Sequence, residues 1–359
     1  MRRPTSLSLL LCLATLLPLA SCNAVGPTAV RGARIPYNEA VATSRDQQLL
    51  LNLVRLKYRD VPLFLDVGSV STQYQMSYGA SAASRFVFDD ALNDHGLNAG
   101  GSVGYSEKPT VTYTPLSGEK FVTQMMSPIP LETVFLMAQS GWSMGRVLRC
   151  CAQSLNDVRN APSASGPTPS YEPEHEQFAR LSAHARQLQL AGGISLKRIA
   201  AKTVALTVAP DAAPEDAQAL QQLLGLQSGA TSFPLTARMG AGDGSDVGVQ
   251  TRSFLGVMFY LSHAIEAPAE HVAAGKVTVT RDAEGAVFDW NSMTGDLLRV
   301  RSTDKRPGDA YVSVKYRNAW FFIDDADLNS KSTFSLLSYL FSLQSGDRKA
   351  LAPALTLPL

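Results

Sequence analysis

The chain has little cysteine, almost no net charge and no long hydrophobic run. Four cysteines stand among 359 residues, and two of them, Cys150 and Cys151, are neighbours. A disulfide framework needs an even set of spaced cysteines, so none is expected here. Adjacent side chains on a helix point about 100° apart. The pair therefore reads as two buried free thiols, with an intermolecular disulfide as the functional alternative. A net charge of +1 gives no general attraction to nucleic acid or any other polyanion. No run reaches the roughly 20 apolar residues of a membrane-spanning helix. The sequence has no His-Glu-x-x-His, no spaced cysteine pairs and no complete calcium loop, so neither a metal nor a cofactor is expected. With 45% hydrophobic and 18% charged residues, the composition is that of a folded chain rather than a disordered one.

What is present begins at the N-terminus. Arg2 and Arg3 precede an apolar segment from Leu9 to Ala20, broken only by Thr15 and Pro18. This is the charged region and short hydrophobic region of an export signal. The next residues, Leu19-Ala20-Ser21-Cys22, resemble the lipobox of bacterial lipoproteins. The resemblance implies cleavage between Ser21 and Cys22, a diacylglycerol on the Cys22 sulfur and a further acyl chain, such as palmitate, on the new amino terminus. Three chains, at about 0.8 kcal/mol per buried methylene, exceed the two signals that stable anchoring needs. Asn23 stands where an aspartate would favour retention in the inner membrane. By the same resemblance the expected location is the periplasmic face of the outer membrane.

Residues 22–36 carry Gly, Pro and Arg without periodicity and read as a tether. From Asn38 to about Tyr58 the pattern is helical. Leu49, Leu50, Leu53, Val54 and Leu56 form a broad apolar face, and Arg45, Gln48, Asn52 and Arg55 form a polar stripe read as solvated. Ser69 to Tyr78 alternates as a half-buried strand, and the alternation changes phase near Gly68, which predicts a β-bulge. Val103 and Tyr105, then Val111 and Tyr113, flank Ser106 to Pro109 and suggest a tight hairpin. Leu131 to Leu155 reads as helical with an interruption at Gly141.

Residues 159–173, rich in Pro, Ser and Gly, read as a linker. It would divide an N-terminal α+β region, 37–158, from a C-terminal α+β domain, 174–359. In the second half, strands near 200–208, 232–238, 275–280, 286–290, 296–302 and 311–323 alternate with helices near 174–190, 214–225, 253–265 and 330–345. The expected fold class is α+β, with mixed, largely antiparallel sheets, packed helices and two subdomains.

Four segments taken together, LLLNLVRLKYRDVPLFLDV, TRSFLGVMFYLSHAIE, FDWNSMTGDLLRVRS and WFFIDDADLNSKSTF, resemble a family of uncharacterised proteobacterial lipoproteins. The resemblance covers most of the mature chain and implies lipid anchoring. It brings no activity, ligand or catalytic residue.

One motif has catalytic form. Gly141-Trp142-Ser143-Met144-Gly145 fits the nucleophile elbow of α/β-hydrolases, which would make Ser143 the nucleophile of a lipid-anchored esterase. That reading needs a strand before the motif, a helix after it, and then an acid and a histidine near the C-terminus. The last histidine, His271, is followed by 88 residues.

Asp243, Asp246, Asp324, Asp325 and Asp327 have oxygens for a hard cation, but Asp-rich turns and helix caps have the same composition. A basic surface is the other candidate. Arg299 and Arg301 alternate with Leu298 and Val300, while Lys315 and Arg317 alternate with Val314 and Tyr316. A hairpin through residues 303–309 would put the four cations on one face. Like charges on adjacent strands repel. They call either for the internal acids at 324–327 or for an anionic partner such as lipopolysaccharide, peptidoglycan or an envelope protein. The stripe Phe334, Leu336, Leu337, Leu340 and Phe341 reads as core. The expected role is a structural or interaction component of an envelope assembly.

Overall fold

A computed structural model describes residues 25–85, 96–166, 173–200, 203–282 and 284–345; Ser21 and Cys22 lie outside them. The fold is α+β. The described residues divide into two units: a body, 25–62 with 118–345, and a ribbon, 63–117. No described helix is long and apolar enough to cross a membrane.

The body opens with helix α1 (Val25–Lys57), about 50 Å long at 1.5 Å per residue. The helix takes in residues 25–36 of the segment read as a tether. Alanine and arginine between Pro27 and Pro36 are good helix formers, and Pro36 forgoes one bond of the ladder. From residue 34 to 47 the helix is largely exposed, and from Leu49 it is buried. Asn52, read as part of a solvated stripe, is fully buried.

Helices α2 (Glu119–Met126), α3 (Leu131–Gln139) and α4 (Met144–Cys151) follow, then the short strands β3 (Ala152–Leu155) and β4 (Val158–Arg159) and a 3-10 turn (Pro162–Ser165). Beyond them come α5 (Glu176–Leu190), β5 (Ile194–Ala200), β6 (Thr203–Val208), α6 (Pro214–Leu224), β7 (Ser232–Thr236) and β8 (Val247–Thr251). Strands β3 to β8 form one sheet in the order β4-β3-β8-β7-β6-β5, antiparallel except for the β7–β8 pair.

Strands on either side of the expected linker thus lie in one sheet, because β3 pairs with β8. Of the expected linker only residues 159–166 and 173 are described, and among these Ala161 and Ala164 are both fully buried. Composition marks this stretch as turn-rich, but the small side chains of Ala161 and Ala164 serve close packing. The core on this sheet joins Phe178, Leu181, Leu188, Leu206, Leu220 and Phe233.

A second core gathers helices α7 (Phe254–Ser262) and α10 (Leu328–Gln344) with a three-stranded antiparallel sheet of β9 (Arg301–Thr303), β10 (Ala310–Tyr316) and β11 (Ala319–Asp324). Ser253 caps α7 and Asp327 caps α10, each accepting a bond from the backbone N–H three residues on. The Phe334 stripe is buried here, as periodicity required. Short helices α8 (Ala269–Ala273) and α9 (Asn291–Thr294) lie between α7 and β9. The strands expected near 275–290 reduce to a single bridge between Arg281 and Val287.

The ribbon is one long two-stranded ladder, β1 (Phe64–Arg85) antiparallel to β2 (Gly96–Leu116). Its register shifts between Val67 and Ser69, where the alternation had placed a bulge at Gly68. The tight hairpin expected at 106–109 is not formed, and β2 runs straight through it. Proline survives in that strand because a two-stranded ribbon is all edge, and an outward position needs no N–H.

Candidate functional site

The serine motif folds as a corner between two helices. Gly141 follows the end of α3 with φ of 86°, a left-handed conformation that glycine adopts without strain. Ser143 is the residue before α4. Gly145 is needed for a different reason: a Cβ there would sit 2.9 Å from the Ser182 carbonyl oxygen of α5. Both glycines of the motif thus have structural roles, Gly141 conformational and Gly145 in packing, and no strand leads into it.

The donor that an oxyanion hole would use is already engaged. Met144 donates its backbone N–H to Oε1 of Gln189 at 2.8 Å, while Gln189 Nε2 donates to the Trp142 carbonyl at 2.9 Å. Gln189 acts as a clamp on the corner. Three histidines have other partners: His184 bonds Asp216 at 2.7 Å, His271 bonds the Tyr58 hydroxyl at 2.6 Å, and His175 contacts the Pro173 carbonyl at 2.9 Å.

The four basic residues are not a hairpin. Strand β11 lies between β9 and β10, so the segments holding Arg301 and Lys315 are separated by the strand that carries Trp320 and Phe322. The register still puts Arg301 and Lys315 on one face, opposite Phe322 and Trp320 respectively. Arg299 pairs with Glu266 at 2.5 Å and Arg301 with Asp324 at 3.3 Å. Arg317 pairs with Asp60 at 2.8 Å, lies over the Tyr58 ring, and occupies with Asn318 a two-residue turn at φ of 45° and 71°. The bond from the Tyr316 hydroxyl, with the Arg317 charge, holds Asp60 below the usual carboxylate range. Three of the four cations are therefore neutralised within the body, and Lys315 is exposed.

The acidic clusters cap and turn. Asp243 accepts from Ser245, Asp246 from Arg238 and Thr236, and Asp327 from Ser330. Among the described residues no three His, Cys, Asp or Glu gather as metal ligands.

The strongest polar centre was not legible in the sequence. Arg252, between β8 and α7, is buried with 1% exposure. Its guanidinium donates to the carbonyls of Arg149 at 2.9 Å, Cys150 at 3.2 Å and Ala152 at 2.8 Å, to the Asn160 carbonyl, and to Ser165 Oγ at 2.9 Å. These acceptors include the last carbonyls of α4, so the charge sits at the negative end of that helix. The ring of Tyr260 lies 4.2 Å below it. A lone arginine between Thr251 and Ser253 carries no pattern that would mark it.

Next to this centre, Arg149 takes Asp296 through both oxygens, at 2.5 and 2.8 Å. Burial, the largest single effect, pushes the Asp296 carboxyl up, but the bond and charge of Arg149, with a backbone N–H bond and the Arg146 charge, together outweigh it and the net shift is down. Arg149 also borders a cleft of about 350 Å³ with Asn160, His175, Glu176 and Tyr260.

On the ribbon, Leu65, Val70, Val111 and Tyr113 are at least one-third exposed. No family model matches the chain, and neither a curated protein nor a solved structure gives a match.

Proposed function

We propose that this chain is a lipid-anchored component of the bacterial outer membrane, facing the periplasm, which works by assembly rather than by catalysis. The leader and the lipobox-like Leu19-Ala20-Ser21-Cys22 support the anchor, as does the resemblance of four segments to proteobacterial lipoproteins. One observation carries the assembly reading: residues 63–117 fall in a different unit from the body and form a two-stranded ladder on which Leu65, Val70, Val111 and Tyr113 are exposed apolar side chains. An isolated two-stranded ribbon is marginal in water, so a ladder this long points to a partner.

The partner is better sought among envelope proteins than among anions such as lipopolysaccharide or peptidoglycan, since Arg299, Arg301 and Arg317 already have acids. An esterase role has less support, because Gln189 holds the Met144 N–H.

Mass spectrometry of the N-terminal peptide and labelling with an alkyne palmitate analogue test the anchor. The parent protein should carry lipid at Cys22 and fractionate with outer membranes, and Cys22→Ser should do neither. An unmodified thiol at Cys22, or an intact leader, would overturn the proposal.

A further inference from the structure

Arg252 steadies two side chains that line the cleft beside Arg149. Its guanidinium lies over the Tyr260 ring and donates to the main-chain carbonyl of Asn160. Both residues line the cleft, and both are nearly inaccessible, Asn160 at 3% and Tyr260 at 1%. They form its floor.

Each floor residue keeps one polar atom unused. The Asn160 amide donates from Nδ2 to the carbonyls of Arg149 at 2.9 Å and Ala152 at 2.7 Å. These bonds fix its orientation, because a flipped amide would set its oxygen against two carbonyls. Oδ1 is left as an acceptor without a donor among the described residues. The Tyr260 hydroxyl likewise makes no hydrogen bond to a described residue. Buried polar groups nearly always have partners. An acceptor and a donor, both orphaned on the floor of one cleft, mark a place for a molecule that carries the complementary pair.

The rim differs from the floor. Helix α5 runs its first turns along the cleft through Glu176 and Arg180, whose side chains are exposed and approach each other only to 3.9 Å. Such a pair contributes little, so both charges can turn to a ligand. Arg149 brings no spare charge, since Asp296 already takes it. The rim therefore offers one anion and one cation, with the positive end of α5 beside them. This suits a zwitterion better than a simple anion.

An amide meets both floor groups at once, its N–H reaching Asn160 Oδ1 and its carbonyl accepting from the Tyr260 hydroxyl. The volume is at the lower end of ligand sites, which span about 300–1,000 Å³. We infer that the cleft binds a small zwitterionic peptide, with its amide on the floor between Asn160 and Tyr260, its ammonium at Glu176 and its carboxylate at Arg180. The cleft lies wholly in the body, so the inference depends neither on the lipid anchor nor on the ribbon.

The test is isothermal titration calorimetry on the full chain in detergent, with glycylglycine as the probe. Glycylglycine should bind saturably. Glycine, which has both charges but no amide, and acetate, a simple anion, should each bind at least about tenfold more weakly. Tyr260→Phe removes only the unused hydroxyl. It should weaken glycylglycine about two- to tenfold and leave urea unfolding unchanged. Arg180→Gln, on the exposed rim, should weaken glycylglycine by a similar factor but not glycylglycinamide, which lacks the carboxylate. No saturable binding to the parent would overturn the inference, the floor groups then meeting water alone. Acetate binding as tightly as glycylglycine would overturn it too, leaving an anion site only, as would equal affinity in the parent and Tyr260→Phe. Should the Phe variant not fold, Arg180→Gln decides: an equal loss for glycylglycine and its amide, or no loss for either, sinks the inference.

Discussion

The imidazole of His263 lies flat on the indole of Trp290, with ring centroids 4.0 Å apart and planes 14° from parallel. Its Nε2 is buried without a hydrogen-bond partner. Burial, reinforced by the nearby Lys57 charge, lowers its pKa to about 3. The unfolded chain binds this proton near the ordinary value of about 6.5 and the folded protein does not. Stability is then unaffected above about pH 6.5 and falls as pH drops toward 3, by about 1.4 kcal/mol per unit. Denaturant unfolding at pH 7.5 and pH 5 should differ by about 2 kcal/mol from this site. His263→Phe keeps a ring on Trp290 and should remove that part of the difference. An unchanged pH slope in the variant would show that the imidazole is not kept neutral.

Arg252 holds the end of α4 with charge rather than with a backbone cap. Arg252→Met would leave the carbonyls of Arg149, Cys150, Ala152 and Asn160 without this donor in the interior. Each unmet buried acceptor costs about 1–3 kcal/mol, and breaking a buried ionic centre typically costs about 3–5 kcal/mol. The expected loss is at least about 3 kcal/mol in urea unfolding, and Arg252→Lys should recover only part of it. A variant within 1 kcal/mol of the parent would mean that water replaces the guanidinium.

Ser143 precedes α4 but makes no side-chain cap bond. Ser143→Ala should therefore cost less than the ~1 kcal/mol of an ordinary lost cap. The parent protein should not hydrolyse short p-nitrophenyl esters above background. Activity in the parent that disappears in Ser143→Ala would restore the esterase.

Cys150 and Cys151 are both free and buried. Burial pushes the Cys150 thiol up to about 11 and Cys151 higher still. Since the thiolate is the reactive form, neither should react with Ellman's reagent at pH 8 in the native protein. Both should react in 6 M guanidinium. Reaction in the native state at the rate of free cysteine would contradict the burial.

Local signals with a mechanism were legible: α6 at 214–224 was expected at 214–225, and the change of phase at Gly68 located the bulge. The split of 311–323 into β10 and β11 was not legible, because Arg317-Asn318 lacks the glycine that announces a two-residue turn. Arg317 tolerates its left-handed backbone through Asp60 and Tyr58, which are distant in sequence. Strand β8 was missed for a similar reason. Five residues, VGVQT, give too short a pattern, and their partner β3 sits about a hundred positions earlier. The serine motif misled because glycine serves equally a sharp strand-to-helix turn and a close helix crossing.

The guanidinium of Arg252 meets acceptors that are made about a hundred residues before it. While a ribosome delivers the chain from its N-terminus, the carbonyls of Arg149, Cys150, Ala152 and Asn160 lack the guanidinium until residue 252 emerges. The interior around the end of α4 can therefore reach its final bonding only after residue 252 has been made.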